Sequence, residues 1–384
     1  MIIGFDAKRA FQNRTGLGNY SRTLLQSLYD NYRDNKYVLF APKRTSMFPL
    51  SEAEGFSVVT PTWQPAKLLP SVWRSMWMTK DLKRAGINLY HGLSNELPSG
   101  IQNTRISSIV SIHDVIFEKY PEYYHKSEVV IYRKKFRSAC KNADIIMAMS
   151  EQTKNDIVAL YGVDKNKVRV CYQSCDPIFR ILVDAETKTQ IRKLYGLPEQ
   201  YFLYLGSIIE RKDLLSICKA LHQLGDKVDI PLVVVGKGKE YKKTVQQWLA
   251  ENNMTDRVIF LSDTAVANST PEYQTGAHFP AIYQNALGFI YPSVYEGFGI
   301  PILEAISGGV PVIAANASSL PEVGGDAALY FQPGNVEQLA NQILRLSQDQ
   351  ELRVNCRMMG LLQSAQFSMA NCAAKVMDVY QELA

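Results

Sequence analysis

Short runs of apolar, largely β-branched residues alternate along the chain with stretches whose apolar positions recur every three or four residues. The first pattern predicts buried strands at 2–5, 37–40, 57–60, 89–91, 106–112, 145–149 and 168–170, and again at 201–205, 232–235, 258–261, 287–291, 312–314 and 328–330. The second predicts helices at 18–31, 127–141, 151–161, 212–224, 239–252, 301–308 and 335–347. Alternation of this kind gives parallel sheets covered on both faces by helices, an α/β fold. So many strands overfill one doubly wound sheet, so two tandem domains are expected. The alternation breaks near 175–198 (CDPIFRILVDAETKTQIRKLYGLPEQ), which sets a first domain at 1–178 and a second at 179–365. The tail FSMANCAAKVMDVYQELA reads as a final helix at about 366–384. Two similar domains with a cleft between them form a natural small-ligand site.

Composition narrows the class. With 384 residues, 46% hydrophobic and 21% charged, the chain is a globular protein rather than a collagen, a coiled coil or a disordered polymer. No apolar run reaches the roughly 18–20 residues of a membrane span. The start MIIGFDAKR meets Asp6 and Lys8 too early for a signal peptide and reads as a buried first strand. Six cysteines without a Cys-x-x-Cys pair argue against a disulfide framework or structural zinc and for a reducing cytosol. The five histidines show no metal-ligand spacing, so no metal is expected.

The net charge of +5 hides an asymmetry. Residues 1–180 carry 26 Lys+Arg against 16 Asp+Glu, whereas 181–384 carry 16 against 21. A basic half beside an acidic half suggests different partners for the two domains. For the basic half these are phosphate-bearing substrates or an anionic membrane surface; nucleic acid is set aside for want of any recognisable motif. The charge concentrates at 67–84, where Trp73, Trp77 and Met78 lie among Arg74, Lys80, Lys83 and Arg84, and at 127–141, with Arg133, Lys134, Lys135, Arg137 and Lys141. Aromatic and apolar residues beside cations suit a membrane interface. The same pattern also arises when the aromatics pack inward and the cations form a solvated face.

Three glycine-bearing turns carry candidate chemistry. In RTGLGNYSRTLLQSL, Gly16 and Gly18 precede an amphipathic helix, whose first N–H groups favour an anion. Ser21 stands at the third position of a dinucleotide fingerprint, so that motif is not met, and a bare turn has the same spacing. In YLGSIIERKDL, Gly206 ends a strand and Arg211 and Lys212 open the next helix, at the edge where α/β sheets bind ligands. In PSVYEGFGIPILEAISGGVPVIA, a strand ends at Pro292 and Glu296-Gly297-Phe298-Gly299-Ile300 forms a loop before Pro301 begins a helix. Gly297 and Gly299 remove side chains that would hold a phosphate away from the backbone, and Glu304 follows one turn into the helix. Carboxylates eight residues apart do not share a proton; near a diphosphate they suit hydroxyl groups, one on a sugar ring and one on a ribose. His113 and Asp114 leave the strand in SIHDV and could likewise bond sugar hydroxyls, although a strand-end histidine also serves structure alone. Ser150, in ADIIMAMSEQTKNDI, reads as a helix cap.

At these residues the chain resembles the family-4 retaining glycosyltransferases, whose GT-B fold sets two Rossmann-like domains with parallel sheets facing a central cleft. The resemblance spans nearly the full length: the turn holding Gly16 and Gly18, His113-Asp114, GSIIERKDL, EGFGIPILE with its Glu-x7-Glu spacing, GGVPVIA and ASSLPEVGGDAALYF. It implies an N-terminal acceptor domain, a C-terminal nucleotide-sugar domain, and a last helix that crosses back onto the first. Arg211 and Lys212 would hold the donor diphosphate, with Gly206, Gly297, Phe298, Gly299 and Ile300 around it and Gly16 and Gly18 approaching the phosphates. Glu304 would bind the ribose, Glu296 the donor sugar and His113 that sugar from the acceptor domain, so Glu296 and His113 are the implied catalytic residues. Backbone at 261–262, including Ser262, would face the base. The family commonly has an arginine where Ser207 stands, which leaves Arg211 and Lys212 more of the diphosphate, and SDTAVANSTPEYQTGAHFP beside the base site reads as longer than the usual connection.

The implied activity is retaining, metal-independent transfer of a hexosyl group, mannosyl favoured, in surface polysaccharide or lipopolysaccharide synthesis. The donor would be GDP-mannose or a UDP-hexose, with no further cofactor. The acceptor would be a glycan or a lipid-linked saccharide, reached in the cytoplasm or peripherally at the inner face of the membrane. The alternatives are a sugar-nucleotide epimerase or phosphorylase of similar fold, and a silent sugar-nucleotide-binding module. A donor-only incubation separates the epimerase, and tight nucleotide binding without turnover identifies the module.

Overall fold

The structure is a computed structural model in which residues 1–48 and 55–384 are described. The chain folds as two compact units, Met1–Cys175 together with Phe367–Ala384, and Asp176–Gln366.

The first unit is built on a parallel sheet of β1 (Ile2–Asp6), β2 (Lys36–Phe40), β3 (Phe56–Val59), β4 (Leu89–Gly92), β5 (Ser107–Ile112), β6 (Ile145–Ala148) and β7 (Val168–Val170), in the order β3-β2-β1-β4-β5-β6-β7. Helices cover it because nearly every strand position is apolar and needs burial on both faces. Phe117, Phe136 and Ile157 pack with Val110, Ile112 and Ile146, while Trp73, Met78 and Leu82 pack with Val38, Phe40 and Tyr90. Of the tryptophans and methionine noted at 67–84, Trp73 and Met78 are thus core; the Trp73 indole donates to Asp81 at 2.8 Å. The helix Met369–Gln381 belongs to this unit. Tyr380 is fully buried with its hydroxyl 2.7 Å from His91 Nδ1, and Ser27 Oγ donates to the Met369 carbonyl at 2.7 Å.

The second unit carries β8 (Phe202–Leu205), β9 (Leu232–Val235), β10 (Val258–Phe260), β11 (Gly288–Tyr291), β12 (Val312–Ala315) and β13 (Ala328–Phe331), also all parallel, in the order β10-β9-β8-β11-β12-β13. Every strand expected from the sequence is present. Several helical stretches were not expected, among them the short Leu320–Gly324. Ala185–Tyr195 forms within the segment read as a break, Gln350–Ala365 follows Val336–Gln348 after a cap at Asp349, and 265–285 folds into three short helices. The helix expected from 212 begins at Leu214, because Glu210–Lys212 makes a 3-10 turn and Asp213 adopts a left-handed conformation, φ 44°. That kink turns Arg211 back toward the sheet.

Among the described residues no helix is long and apolar enough to cross a membrane.

Candidate functional site

In each sheet the strand order reverses direction once, and loops leaving the two central strands diverge to opposite faces, opening a crevice at their carboxyl ends. The reversal lies between β1 and β4 in the first unit and between β8 and β11 in the second. The loops after β8 and β11 carry most of the residues singled out above: Gly206, Arg211 and Lys212 on one, Glu296 to Ile300 on the other.

The hub of this crevice is Glu296. Its Oε1 lies 2.8 Å from Arg211 Nη1 and accepts from the hydroxyls of Tyr291 and Ser293, each at 2.8 Å. Lys212 Nζ stands 3.6 Å from the same oxygen and donates to Tyr291 Oη at 2.9 Å, above that ring. Burial by itself would raise the Glu296 pKa. Lys212 and Arg211, with hydrogen bonds from Arg211 and Tyr291, outweigh it and hold the carboxyl at about 2. All of these donors converge on Oε1; Oε2 accepts no hydrogen bond among the described residues. Arg211 is buried, bonds Ser293 Oγ at 3.2 Å and also donates to the Tyr295 carbonyl, so it clamps one loop to the other. Lys212 lies over Gly206, where a Cβ would come within 3.0 Å of Nζ.

Glu304 has the opposite environment. It is buried on the helix Ile300–Ser307, and the Tyr283 hydroxyl donates to its Oε2 at 3.1 Å. Burial, with Asp176 adding to it, pushes its pKa up to about 8; Tyr283 and Lys212 offset only part. Glu296 is therefore ionised at neutral pH while Glu304 mostly holds a proton, so two carboxyls on one loop and helix have their roles set apart by surroundings.

The helix Ile300–Ser307 starts at Gly299, φ 123°, a backbone conformation open to glycine, and no side chain caps it. Its loop is fixed from β12's far end. The Glu296 N–H donates to Ser318 Oγ at 2.8 Å, and Ser319 Oγ bonds the carbonyls of Glu296 and Phe298 at 2.9 and 2.7 Å. Ser318 and Ser319, like Tyr291, Ser293 and Tyr283, were not picked out from the sequence. A tyrosine at the end of an apolar strand looks like core, and the serine pair had only its place in ASSLPEVGGD to mark it.

Ser262 is buried, and its side chain is engaged with protein. Its Oγ accepts the Gly236 N–H at 2.8 Å and lies 2.7 Å from the Tyr273 hydroxyl. With Lys237, Gly238, Lys242, Asp263 and Asn268 it lines a pocket of about 350 Å³ beyond β9 and β10. Gly236 was also missed. A Cβ there would lie 1.9 Å from the Gly206 carbonyl oxygen, so Gly236→Ala must push β9's end from β8's. It is expected to destabilise the second unit by roughly 3 kcal/mol or more, measured as a lower urea midpoint, with Gly334→Ala as a comparison in which a Cβ meets open space and only the left-handed backbone, φ 75°, costs roughly 1–2 kcal/mol.

Gly16, Gly18 and His113 belong to the first unit. Gly18 has a packing role: a Cβ would meet the Asn13 carbonyl at 1.9 Å, in a loop that Arg22 ties down by bonds to the carbonyls of Ala10 and Asn13. Gly16 opens the helix Gly16–Asn31 with free space around it. His113 is buried beyond β5, edge-on to Tyr20 at 4.6 Å. Its Nε2 lies 2.8 Å from the Leu93 carbonyl, which only accepts, so Nε2 carries the proton and Nδ1 is an acceptor. Burial pushes its pKa down to about 4, so the ring is neutral.

Two family models match in tandem: a glycosyltransferase family 4 model over residues 14–177 and a glycosyl transferases group 1 model over 187–360. The chain belongs to the family-4 glycosyltransferases. It is similar to O-antigen chain mannosyltransferase B of Escherichia coli, 28% identical over 312 residues that cover 81% of this chain and 77% of that one. O-antigen chain mannosyltransferase RfbU of Salmonella typhimurium is 25% identical over 90% of this chain and 94% of its own. Among solved structures, Anabaena HepE in complex with UDP-glucose superposes with a TM-score of 0.73 at 18% identity, covering 99% of both chains. This glycosyltransferase thus has the two-sheet GT-B fold that its motifs imply.

Proposed function

We propose that this glycosyltransferase transfers mannose, with retention of configuration and without a metal, from GDP-mannose to a lipid-linked or glycan acceptor in surface-polysaccharide synthesis. The observation that carries it is the paired state of Glu296, its Oε1 saturated by Arg211, Tyr291, Ser293 and Lys212 and its Oε2 left to accept a sugar hydroxyl. The O-antigen mannosyltransferases among its relatives support mannose as the group moved.

In this reading the second unit binds the donor. Lys212 turns from Tyr291 onto the diphosphate, Arg211 fixes the loop, and the uncapped start of Ile300–Ser307, with Gly297, Phe298 and Gly299 before it, offers N–H groups to phosphate oxygens. These charges stabilise the leaving nucleotide, which is the work a metal would do. Glu304 accepts the ribose hydroxyls once it loses its proton, and the pocket beside Ser262 takes the base. The first unit binds the acceptor, and His113 Nδ1 accepts from a hydroxyl of the donor sugar. The acceptor oxygen forms its bond to C1 on the face from which the phosphate oxygen departs, and the acceptor's proton passes to that oxygen. No second carboxylate is needed as nucleophile. The protein works in the cytoplasm, peripherally at the membrane's inner face.

Thermal shift with GDP, UDP and their sugars tests the donor, because a ligand of the folded state alone raises the melting temperature. GDP-mannose at a hundredfold excess over its Kd is expected to add about 2.7 kcal/mol. A shift by UDP-glucose and none by GDP-mannose would move the donor to the UDP-hexoses, the donor held by HepE. The anomeric configuration of the product, read by proton NMR, tests retention. Product formed with donor alone and no acceptor would replace the transferase by an epimerase.

A further inference from the structure

Lys8 and Arg9 open the short helix Lys8–Gln12 directly behind β1, at the crevice where the strand order of the first sheet reverses. The residues around them are tightly bonded. Asp6, at the end of β1, is buried and accepts from Arg74 Nε at 2.6 Å. Arg74 also bonds Ser94 Oγ at 3.2 Å and lies 3.0 Å from Glu96, which Lys135 approaches to 2.8 Å. The His113 N–H and Nε2 bond the Asn95 side chain and the Leu93 carbonyl at 2.9 and 2.8 Å. Through these bonds the loops after β1, β4 and β5 form one floor.

The charges of that floor do not balance. Arg74 and Lys135 neutralise Asp6 and Glu96, and Asp114 Oδ1 accepts the Ile116 N–H at 3.1 Å. Lys8 and Arg9 are left over. Both are partly buried, and neither side chain forms an ion pair or a hydrogen bond among the described residues. Arg9 Nε is buried without an acceptor. Burial and the charges of Arg74 and Arg9 hold the Lys8 ammonium below its ordinary pKa, and Asp6 and Glu96 offset only part. The Arg9 charge also adds to the burial that keeps His113 neutral, so Arg9 acts both on Lys8 and on the side chain assigned to the donor sugar. Two crowded cations and an unbonded guanidinium nitrogen weaken the fold unless an anion meets them. A diphosphate matches their charge and supplies acceptors for both.

We propose that Lys8 and Arg9 bind the diphosphate of a lipid-linked acceptor at the carboxyl edge of the first sheet, beside His113. The inference rests on the reading of the first unit as the acceptor domain. The donor's own diphosphate is the other source of the same chemistry, and filling the donor site first separates the two.

Isothermal titration of inorganic pyrophosphate tests it, at fixed ionic strength, into protein saturated with GDP, or with UDP where that is the nucleotide bound. Pyrophosphate is expected to bind the saturated parent, and Lys8→Met and Arg9→Met should each weaken it tenfold or more, each having lost a charge-assisted contact. Lys8→Arg, which keeps the charge, should stay within threefold of the parent. Nucleotide affinity should not change in any of them. Methionine keeps the apolar stem and removes a poorly solvated charge, so both Met variants should melt at or above the parent's temperature. No pyrophosphate binding to the nucleotide-saturated parent overturns the proposal. So do Met variants that bind pyrophosphate as the parent does, whatever their melting temperature, because the cations are then structural. Loss of nucleotide affinity in the Met variants overturns it as well, by giving both cations to the donor. If neither nucleotide binds, the donor reading fails by itself, and pyrophosphate binding that Lys8→Met and Arg9→Met abolish still supports the inference.

Discussion

Lys212→Ala is expected to lower kcat/KM for transfer roughly 10²–10³-fold with a modest fall in melting temperature, whereas its neighbour Arg211→Ala should unfold the second unit far more readily. The two cations share one carboxylate but not one job. Lys212 stands 3.6 Å from Glu296 Oε1, and its ammonium rests against a tyrosine hydroxyl and ring. Removing it weakens the attraction that holds the buried Glu296 ionised but leaves Arg211, Tyr291 and Ser293 bonded to its Oε1, so the loss of stability is the smaller of the two. In the proposed reading what is lost is the cation that meets the leaving diphosphate, and one such preorganised donor commonly contributes two to three orders of magnitude. Arg211 is the buried clamp, 2.8 Å from the same oxygen and bonded from its own loop to Ser293 and Tyr295 on the loop after β11. Truncating it strands a buried carboxylate, at a cost of about 3–5 kcal/mol. Steady-state kinetics and thermal melts on both variants separate these effects. Full activity in purified Lys212→Ala would remove the diphosphate role.

The different fates of adjacent residues mark where reading a sequence stops. Gly206, Arg211, Lys212 and the 296–304 string were visible because glycine, paired cations and spaced glutamates at strand ends are rare outside sites. Their convergence depends on β8 and β11 lying side by side, with the strand order proceeding outward from them in opposite directions within an all-parallel sheet, an order that no local pattern encodes. Asp213's left-handed turn, which aims Arg211 inward, has no local signature either. The second layer of the site was hidden by ordinary composition: Tyr291 completes an apolar strand, Tyr283 sits on the short helix Phe279–Asn285, for which no helical pattern was read, and Ser318 and Ser319 are two serines in a loop. The strands were legible because each is a short β-branched run buried on both faces. The helix Gln350–Ala365 was not, since Val354, Met358, Leu361 and Leu362, the residues that give it a helical period, are the ones it exposes. In the same way 67–84 reads as core or membrane face from its sequence. The structure divides it, burying Trp73 and leaving Leu68, Leu69 and Met76 outside.

Glu304→Gln is expected to stabilise the ligand-free protein and cripple donor binding together. The Glu304 pKa of about 8, against an ordinary 4.5, is raised by burial. A raised folded-state pKa means that the protonated carboxyl's fit is fully present below about pH 4.5. It is lost progressively as pH climbs, because the unfolded chain releases the proton first, and nothing remains above about pH 8. At pH 7 the loss is roughly 3 kcal/mol. Glutamine does not titrate and can still accept the Tyr283 hydroxyl's bond at its amide oxygen, so the variant should exceed the parent by about that amount at pH 7 and match it near pH 4.5. Denaturant unfolding of the second unit at both pH values checks this. Binding runs the other way. To accept two ribose hydroxyls Glu304 must be ionised, so parent affinity for GDP-mannose, whose diphosphate does not titrate in this range, should rise toward tenfold per pH unit between 6 and 8 and level off above. Close to one proton should be released per donor bound at pH 7, seen in calorimetry as a heat that varies with the buffer's ionisation enthalpy. Glu304→Gln should bind on the order of a hundredfold more weakly at pH 8, having lost two charge-assisted bonds, and should show neither pH dependence nor proton release. Flat parent affinity from pH 6 to 9 would mean that the ribose is held elsewhere, and that the buried carboxyl is a structural group whose removal only stabilises the fold.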